Sequence, residues 1–346
     1  MYFKEFLPQY SLFLGMTLIE QIKERILLPL SASAFDQIAL SLFAEQYHNV
    51  APFKTYCDLL GKSPENIHRV EEIPFLPIEF FKGHRILHQN AAPQEKFLSS
   101  GTTGSVPSIH YVADLNFYER CFTTAFTKVY GPVSQYVVLA LLPSYLERKG
   151  SSLVYMTNAL IKKSGHPKSG FYLDQLEDLR ILMHQLSAAG ERILLLGVSY
   201  ALIDLAQMGP WELSEQTIIM ETGGMKGTRA EWTKAALHKE LASRFGLTQI
   251  HSEYGMTELM SQAYAISEGK FQTPPWMRVL TRDPEDPMTL VNQRTGGINI
   301  IDLANIYSCA FIATQDLGKI NNDGSFSLLG RFDHSDIRGC NLLLDA

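Results

Sequence analysis

Ser99-Ser100-Gly101-Thr102-Thr103-Gly104-Ser105-Val106-Pro107 is a run of small hydroxyl residues and glycines closed by a proline. Residues this small offer little apolar area to bury. They suit a loop whose backbone N–H groups wrap an anion. Gly101 and Gly104 can take positive φ and bring the chain close to a ligand. The hydroxyls of Ser99, Ser100, Thr102 and Thr103 can each donate to a phosphate oxygen. The Gly-Lys-Ser/Thr ending of a Walker A loop is missing, which argues against a P-loop ATPase. Taken alone, the stretch reads equally well as a phosphate cradle or as a surface linker.

Around it lies a chain of 346 residues, 46% hydrophobic and 19% charged, an ordinary globular composition with room for a large core. A net charge of −6 argues against a nucleic-acid surface. No apolar run reaches the roughly 18 residues of a membrane span. Met1–Gly15 lacks the basic-then-apolar layout of a signal peptide, so a cytoplasmic location is expected. Cys57, Cys121, Cys309 and Cys340 are far apart in sequence, which argues against zinc and against a disulfide framework. His84 and His88 could share a helix face, but no further ligands accompany them for a closed metal site.

Residues 1–95 read as a mainly helical N-terminal region packed on the body. Ser33-x-x-Asp36 resembles a capping box before an apolar-periodic helix from Phe35 to Tyr47. Prolines hold Ile73–Lys82 extended or turned. Residues 96–270 read as an α/β nucleotide-binding core. Ser108–Ala113 is the second arm of a hairpin. Strands are expected at Tyr136–Leu142, Ile193–Val198, Thr217–Glu221 and Gln249–Ser252, and helices at Asp114–Tyr130, Ser151–Lys163, Asp174–Ala189 and Arg229–Phe245. Apolar runs at this spacing predict a mostly parallel sheet covered by helices. Residues 271–332 read as a smaller β-rich subdomain, with a hairpin turn at Asn322-Asp323-Gly324. Four polar loops follow strand-like segments: 99–107, Thr222–Lys226, Tyr254–Glu258 and Thr314–Gly318. Ligands collect at the carboxyl ends of parallel strands, so all four are expected around one site.

Three of these segments carry a resemblance. Ser99–Pro107 resembles the phosphate-binding loop of the adenylate-forming superfamily of acyl-CoA synthetases. Tyr254-Gly255-Met256-Thr257-Glu258 resembles its Tyr-Gly-x-Thr-Glu motif. Thr314-Gln315-Asp316-Leu317-Gly318, with Asp323-Gly324 and Leu329-Gly330-Arg331, resembles its Thr-Gly-Asp … Asp-Gly … Gly-Arg segment. Within the superfamily the chain looks most similar to the bacterial acyl-protein synthetases, through Pro74–Lys82, Leu142–Arg148 and Gly223–Gly227. The resemblance spans roughly residues 70–341 and implies the large α/β N-terminal part of an adenylating enzyme.

That resemblance implies ATP-dependent, AMP-forming activation of a fatty or other apolar carboxylic acid, followed by acyl transfer to a protein cysteine. ATP and Mg²⁺ would be the cofactors. Ser99, Ser100, Gly101, Thr102, Thr103 and Gly104 would hold the β- and γ-phosphates. Glu258 would bind Mg²⁺ and Thr257 the α-phosphate. Tyr254 would stack on adenine beside the backbone of Gly223 and Gly224. Asp316 would accept the ribose hydroxyls, and Arg331 would contact the ribose. His251 would face the acyl pocket.

Three positions depart from the family pattern. Ser108 stands where a lysine is usual, and Gln315 where glycine is usual. After Arg331 the chain runs only to Ala346, so residues 333–346 read as a hinge-like tail without the usual C-terminal domain and its catalytic lysine. Lys226, Arg278 and Arg331 are the candidate replacement cations, Lys226 first. Cys340 is the candidate acyl-carrying thiol; its bland reading is a small buried side chain. The expected partners are the acid substrate and an acyl-reductase or other acyl-acceptor protein, with no nucleic acid and no membrane span. An aryl- or acyl-CoA ligase of the phenylacetate type and a non-catalytic nucleotide-binding subunit remain the alternatives.

Overall fold

The computed structural model describes residues 16–100, 106–142, 150–223 and 232–332. The chain begins with α1 (Leu18–Arg25), α2 (Ala32–Asn49) and α3 (Ala51–Leu59), followed by a short strand β1 (Leu76–Pro77) and one helical turn α4 (Phe80–Gly83). The predicted capping box at Ser33 is displaced. Ser31 is the N-cap, in extended backbone, and its hydroxyl accepts the Ala34 N–H at 3.2 Å. Ser33 already lies inside the first helical turn, two residues past the N-cap. Pro52 sits in the first turn of α3, where no helical N–H is lost.

The hairpin β2 (Glu95–Leu98) and β3 (Ile109–Val112) then leads into α5 (Leu115–Tyr130), capped by the Asp114 carboxylate. Alternating elements follow: β4 (Val137–Leu141), α6 (Ser152–Ser164), β5 (Gly170–Phe171), α7 (Leu176–Ala188), β6 (Ile193–Val198), α8 (Ser199–Ala206), β7 (Ile218–Thr222), α9 (Lys234–Phe245), β8 (His251–Tyr254) and β9 (Ala263–Ala265). These strands form one sheet in the order β5-β4-β6-β7-β8-β9, parallel throughout except for the antiparallel edge strand β9. Both faces are covered. Val138, Leu194 and Leu196 face a core shared with α5 and α6, while Leu139, Leu195 and Ile219 face a second core under α7, α8 and α9. Burial on both sides explains the unbroken apolar runs that announce these strands. The helix expected from Arg229 begins at Lys234, because the Thr233 hydroxyl caps it by accepting the Ala236 N–H.

The last hundred residues supply β10 (Lys270–Phe271), β11 (Met277–Arg282), β12 (Leu290–Val291), β13 (Gly296–Asp302), β14 (Phe311–Ile320) and β15 (Phe326–Arg331). They form a second sheet in the order β10-β15-β14-β13-β11-β12, and β1 joins it in parallel along the start of β14, Leu76 opposite Ile312. Phe53 of α3 stacks on Phe311, their ring centroids 6.0 Å apart. The Asn322-Asp323-Gly324 turn joins β14 to β15, with Gly324 at φ +82°. One expectation is corrected: Thr314–Gly318 is not a loop. It lies inside β14, hydrogen-bonded to β13 on one side and β15 on the other, with an irregularity at Leu317/Gly318. Neighbouring strands supply the pairing that its polar composition hides. The architecture is mixed α/β, a helix-covered, mostly parallel sheet with a smaller β-rich part.

Candidate active site

Strand ends from both sheets supply the site. β7 ends at Thr222, and Gly223 follows at φ +77° with no atom of the described residues, its chain neighbours apart, within 4 Å of where a Cβ would stand. β8 ends at Tyr254, and Gly255-Met256-Thr257-Glu258 follows. Asp316 and Arg331 face each other across β14 and β15. The β2–β3 hairpin carries the 99–107 segment and is closed at its base by two bonds: Ser99 N–H donates to Ser108 O (3.1 Å), and Ser108 N–H donates to Ser99 Oγ (2.9 Å).

Tyr254 joins the two sheets. Its hydroxyl donates to Asp316 Oδ2 at 2.7 Å, and Arg331 Nε lies 3.4 Å from Asp316 Oδ1. The Tyr254 ring is buried beside Phe271 and Phe326, at centroid distances of 5.8 and 5.4 Å. Burial, then the Asp316 charge, push its phenol well above the usual range, so it acts as a donor. Arg331 is half exposed, so its pairing with Asp316 adds little to stability. It leaves the guanidinium reachable by a ligand.

Glu258 is buried, and desolvation pushes its carboxyl upward. The Ser108 hydroxyl and the Arg331 charge act against that shift. Ser108, at the position where a lysine is usual, is thus buried and hydrogen-bonded to Glu258. Gln315, the other departure, also has a use. Its side-chain amide donates to Glu79 Oε1 at 2.5 Å, tying β14 to the residue two places after β1.

The Thr257–Glu258 backbone is held from behind. His110 of β3 is wholly buried, its Nδ1 lies 2.8 Å from Thr257 O, and its Nε2 meets the Asn305 side chain at 3.2 Å. Asn305 Nδ2 donates to Glu258 O at 2.8 Å. Gln46 of α2 donates to Asn305 O at 2.8 Å. Burial lowers the His110 pKa to about 4, so the ring is uncharged at neutral pH; with its one proton on Nδ1 it donates to Thr257 O, and Nε2 then has no proton to give Asn305 Oδ1. Arg282 braces β14 from the other side, donating to Thr314 O at 2.5 Å and to Ile298 O at 2.8 Å.

The structure therefore brings together Ser99, Ser108, Tyr254, Thr257, Glu258, Asp316 and Arg331 through contacts, with Gly223 at the adjoining strand end and Ser100 at the edge of the 99–107 segment. Gly101, Thr102, Thr103, Gly104, Gly224, Lys226 and Cys340 lie outside the described residues. Arg278 is engaged elsewhere: it pairs with Asp36 at 2.7 Å and lies over the Phe35 ring. His251 is buried against Tyr130, whose hydroxyl is 3.2 Å from Nδ1, and burial lowers its pKa to about 4. Sequence reasoning missed His110, Asn305 and Arg282. Each is a lone polar residue in an apolar or irregular stretch, with no spacing to mark it.

No family model matches the chain. A curated long-chain-fatty-acid–luciferin-component ligase from Aliivibrio fischeri is 21% identical over 300 residues, covering 82% of this chain and 79% of the relative. Among solved structures, an open conformation of 2-hydroxyisobutyryl-CoA ligase in complex with 2-HIB-AMP and CoA matches at TM-score 0.61 and 14% identity, covering 88% of this chain and 76% of that one. ATP-bound MatB from Rhodopseudomonas palustris matches at TM-score 0.51 and 16% identity, covering 68% of this chain. This chain spans about half the length of MatB, 47%. The chain thus shares its fold with 2-hydroxyisobutyryl-CoA ligase and MatB and is similar in sequence to the curated ligase.

Proposed function

We propose that this protein is an ATP-dependent, AMP-forming acid–thiol ligase. In the first step a carboxylate oxygen of an acid with an apolar chain bonds to the α-phosphorus of ATP, and the bond to pyrophosphate breaks. In the second step a thiolate displaces AMP to give a thioester. The convergence of Tyr254, Asp316 and Arg331 beside Glu258 carries this reading. The name of the curated relative supports a fatty acid as the substrate.

Two anions meet in the first step, so neutralising charge is the main task. The 99–107 loop would grip the terminal phosphates, and the Thr257 hydroxyl would donate to the α-phosphate. Asp316 would accept from the ribose, with Arg331 alongside. His110 occupies the Thr257 carbonyl, which fixes how the Thr257–Glu258 turn is presented. The Tyr254 ring would lie at the adenine, beside the Gly223–Gly224 backbone.

Glu258 suits Mg²⁺, which takes one or two carboxylates plus substrate phosphates. Desolvation disfavours its bare anion, so a cation beside it relieves the cost of burial. When bound, Mg²⁺ would supply charge neutralisation at the phosphate oxygens.

For the second step we infer a protein cysteine, Cys340, as the first acceptor, and an acyl-accepting protein after it. Acid-dependent ATP–pyrophosphate exchange tests the first step; no exchange across a panel of carboxylic acids rejects it. Labelled acid plus ATP, without coenzyme A, should leave a hydroxylamine-sensitive label on the wild type and none on Cys340→Ser. Equal labelling of both rejects the cysteine route, and product formed only with coenzyme A assigns the acceptor to coenzyme A.

A further inference from the structure

One buried polar cluster beside the site has no part in the nucleotide contacts. Glu253 precedes Tyr254 in β8, so strand alternation turns its side chain to the other face of the sheet, towards α5. It is 6% exposed. The Thr222 hydroxyl, its cross-strand partner in β7, donates to Oε2 at 2.5 Å, and among the described residues this is the side-chain hydrogen bond it accepts. Gln262 is 3% exposed and lies next to it. A Cβ on Gly255 would stand 2.5 Å from Glu253 Oε1 and 3.4 Å from Gln262 Cγ, so both side chains border the same point behind the exposed Gly255. Among the described residues Gln262 Oε1 has no hydrogen-bond partner. Its amide is engaged with the Tyr118 phenol of α5.

Gln262 Oε1 is therefore a buried acceptor without a donor among the described residues, and it stands beside a carboxyl that accepts one hydroxyl. Native interiors leave few such groups unmatched, and each asks for an explanation. The position supplies one. The nucleotide contacts fall on the Tyr254 face. In an in-line displacement at phosphorus the attacking oxygen arrives opposite the leaving pyrophosphate. An acid entering from the α5 side would pass Glu253 and Gln262. A purely apolar chain would leave the Gln262 oxygen unmatched, whereas an amino or hydroxyl group would satisfy it and bond the Glu253 carboxyl as well.

We propose that Glu253 and Gln262 receive a hydrogen-bond donor, an amino or hydroxyl group, carried on the chain of the acid substrate. This rests on the reading of the site as acid-activating. The test is pyrophosphate exchange by the full chain with octanoate, 3-hydroxyoctanoate, 8-hydroxyoctanoate, 3-aminooctanoate and 8-aminooctanoate. At least one donor-bearing acid should exceed octanoate by about tenfold or more in kcat/KM; a site built for a polar group rejects an analogue lacking it by up to about 10⁴–10⁵. Glu253→Gln should lower an amino preference more than a hydroxyl preference, which distinguishes the two donors. If that variant does not fold, the wild-type ranking decides alone. Octanoate used as well as the other four overturns the proposal and leaves acid activation standing; exchange with none of the five overturns both.

Discussion

The Tyr254 hydroxyl donates to Asp316 Oδ2 across 2.7 Å, linking the last residue of a parallel strand in one sheet to the middle of an antiparallel strand in the other. The bond fixes the carboxylate proposed to hold the ribose. A hydrogen bond to a charged acceptor contributes about 1.5–3 kcal/mol. Tyr254→Phe keeps the ring between Phe271 and Phe326 but removes this bond, leaving Asp316 its pairing with Arg331. We expect KM for ATP to rise about tenfold in the exchange assay, with kcat changed less. An unchanged KM would show that Asp316 is positioned by other means.

Glu258→Gln preserves shape and removes charge. Exchange should fall at least ~100-fold, the scale seen when an electrostatic group is removed from an active site. The Mg²⁺ concentration needed for half-maximal exchange should rise in whatever activity remains. A wild-type magnesium titration would exclude Glu258 as the metal carboxylate.

His110 ties the hairpin of the 99–107 loop to the Thr257–Glu258 turn. His110→Ala strips the partner from the buried Thr257 carbonyl, at a cost of about 1–3 kcal/mol. Lower thermal stability and a higher KM for ATP should follow. His110→Asn offers an amide to the Thr257 carbonyl and should recover part of both. Equal losses in the two variants would mean that ring volume, not the hydrogen bond, matters.

Glu253 makes stability depend on pH. Burial raises its pKa to about 7, the Thr222 hydroxyl opposes this, and nearby Glu221 adds to it. A carboxyl raised in the folded state stabilises it below the unfolded pKa, near 4.5, and that contribution is lost as pH rises to about 7. Two to three units correspond to about 3 kcal/mol. Asp302, raised by burial to about 6, acts in the same direction. The melting temperature of Glu253→Gln relative to wild type should therefore be more favourable at pH 8 than at pH 5. A difference independent of pH would contradict the raised value.

Much of the parallel sheet can be read directly from the chain, because β4, β6 and β7 are buried on both faces and leave apolar runs such as Ile193–Val198. The second half of β14 cannot be read this way. Its Thr-Gln-Asp-Leu-Gly sequence has the composition of a loop, and only pairing with β13 and β15 makes it a strand. The site divides along the same line. Tyr254, Glu258 and Asp316 stand in ordered motifs whose chemistry shows in their residue types. His110 and Asn305 matter through contacts between residues far apart in sequence, 195 positions in this case, and no local pattern encodes such a meeting.

β1 lies against β14 through Leu76 and Ile312, and Glu79 meets Gln315 across a separation of 236 residues. At a translation rate of ~5–20 residues per second, the ribosome takes roughly 10–50 s to deliver the second partner after the first. During that interval the Pro74–Lys82 segment has no edge to join. The strand that carries Asp316 emerges after the whole parallel sheet, so that sheet is made before the carboxylate is. A nascent chain that stopped before β14 would present the parallel sheet without Asp316 and Arg331, and so without the contacts proposed for the ribose.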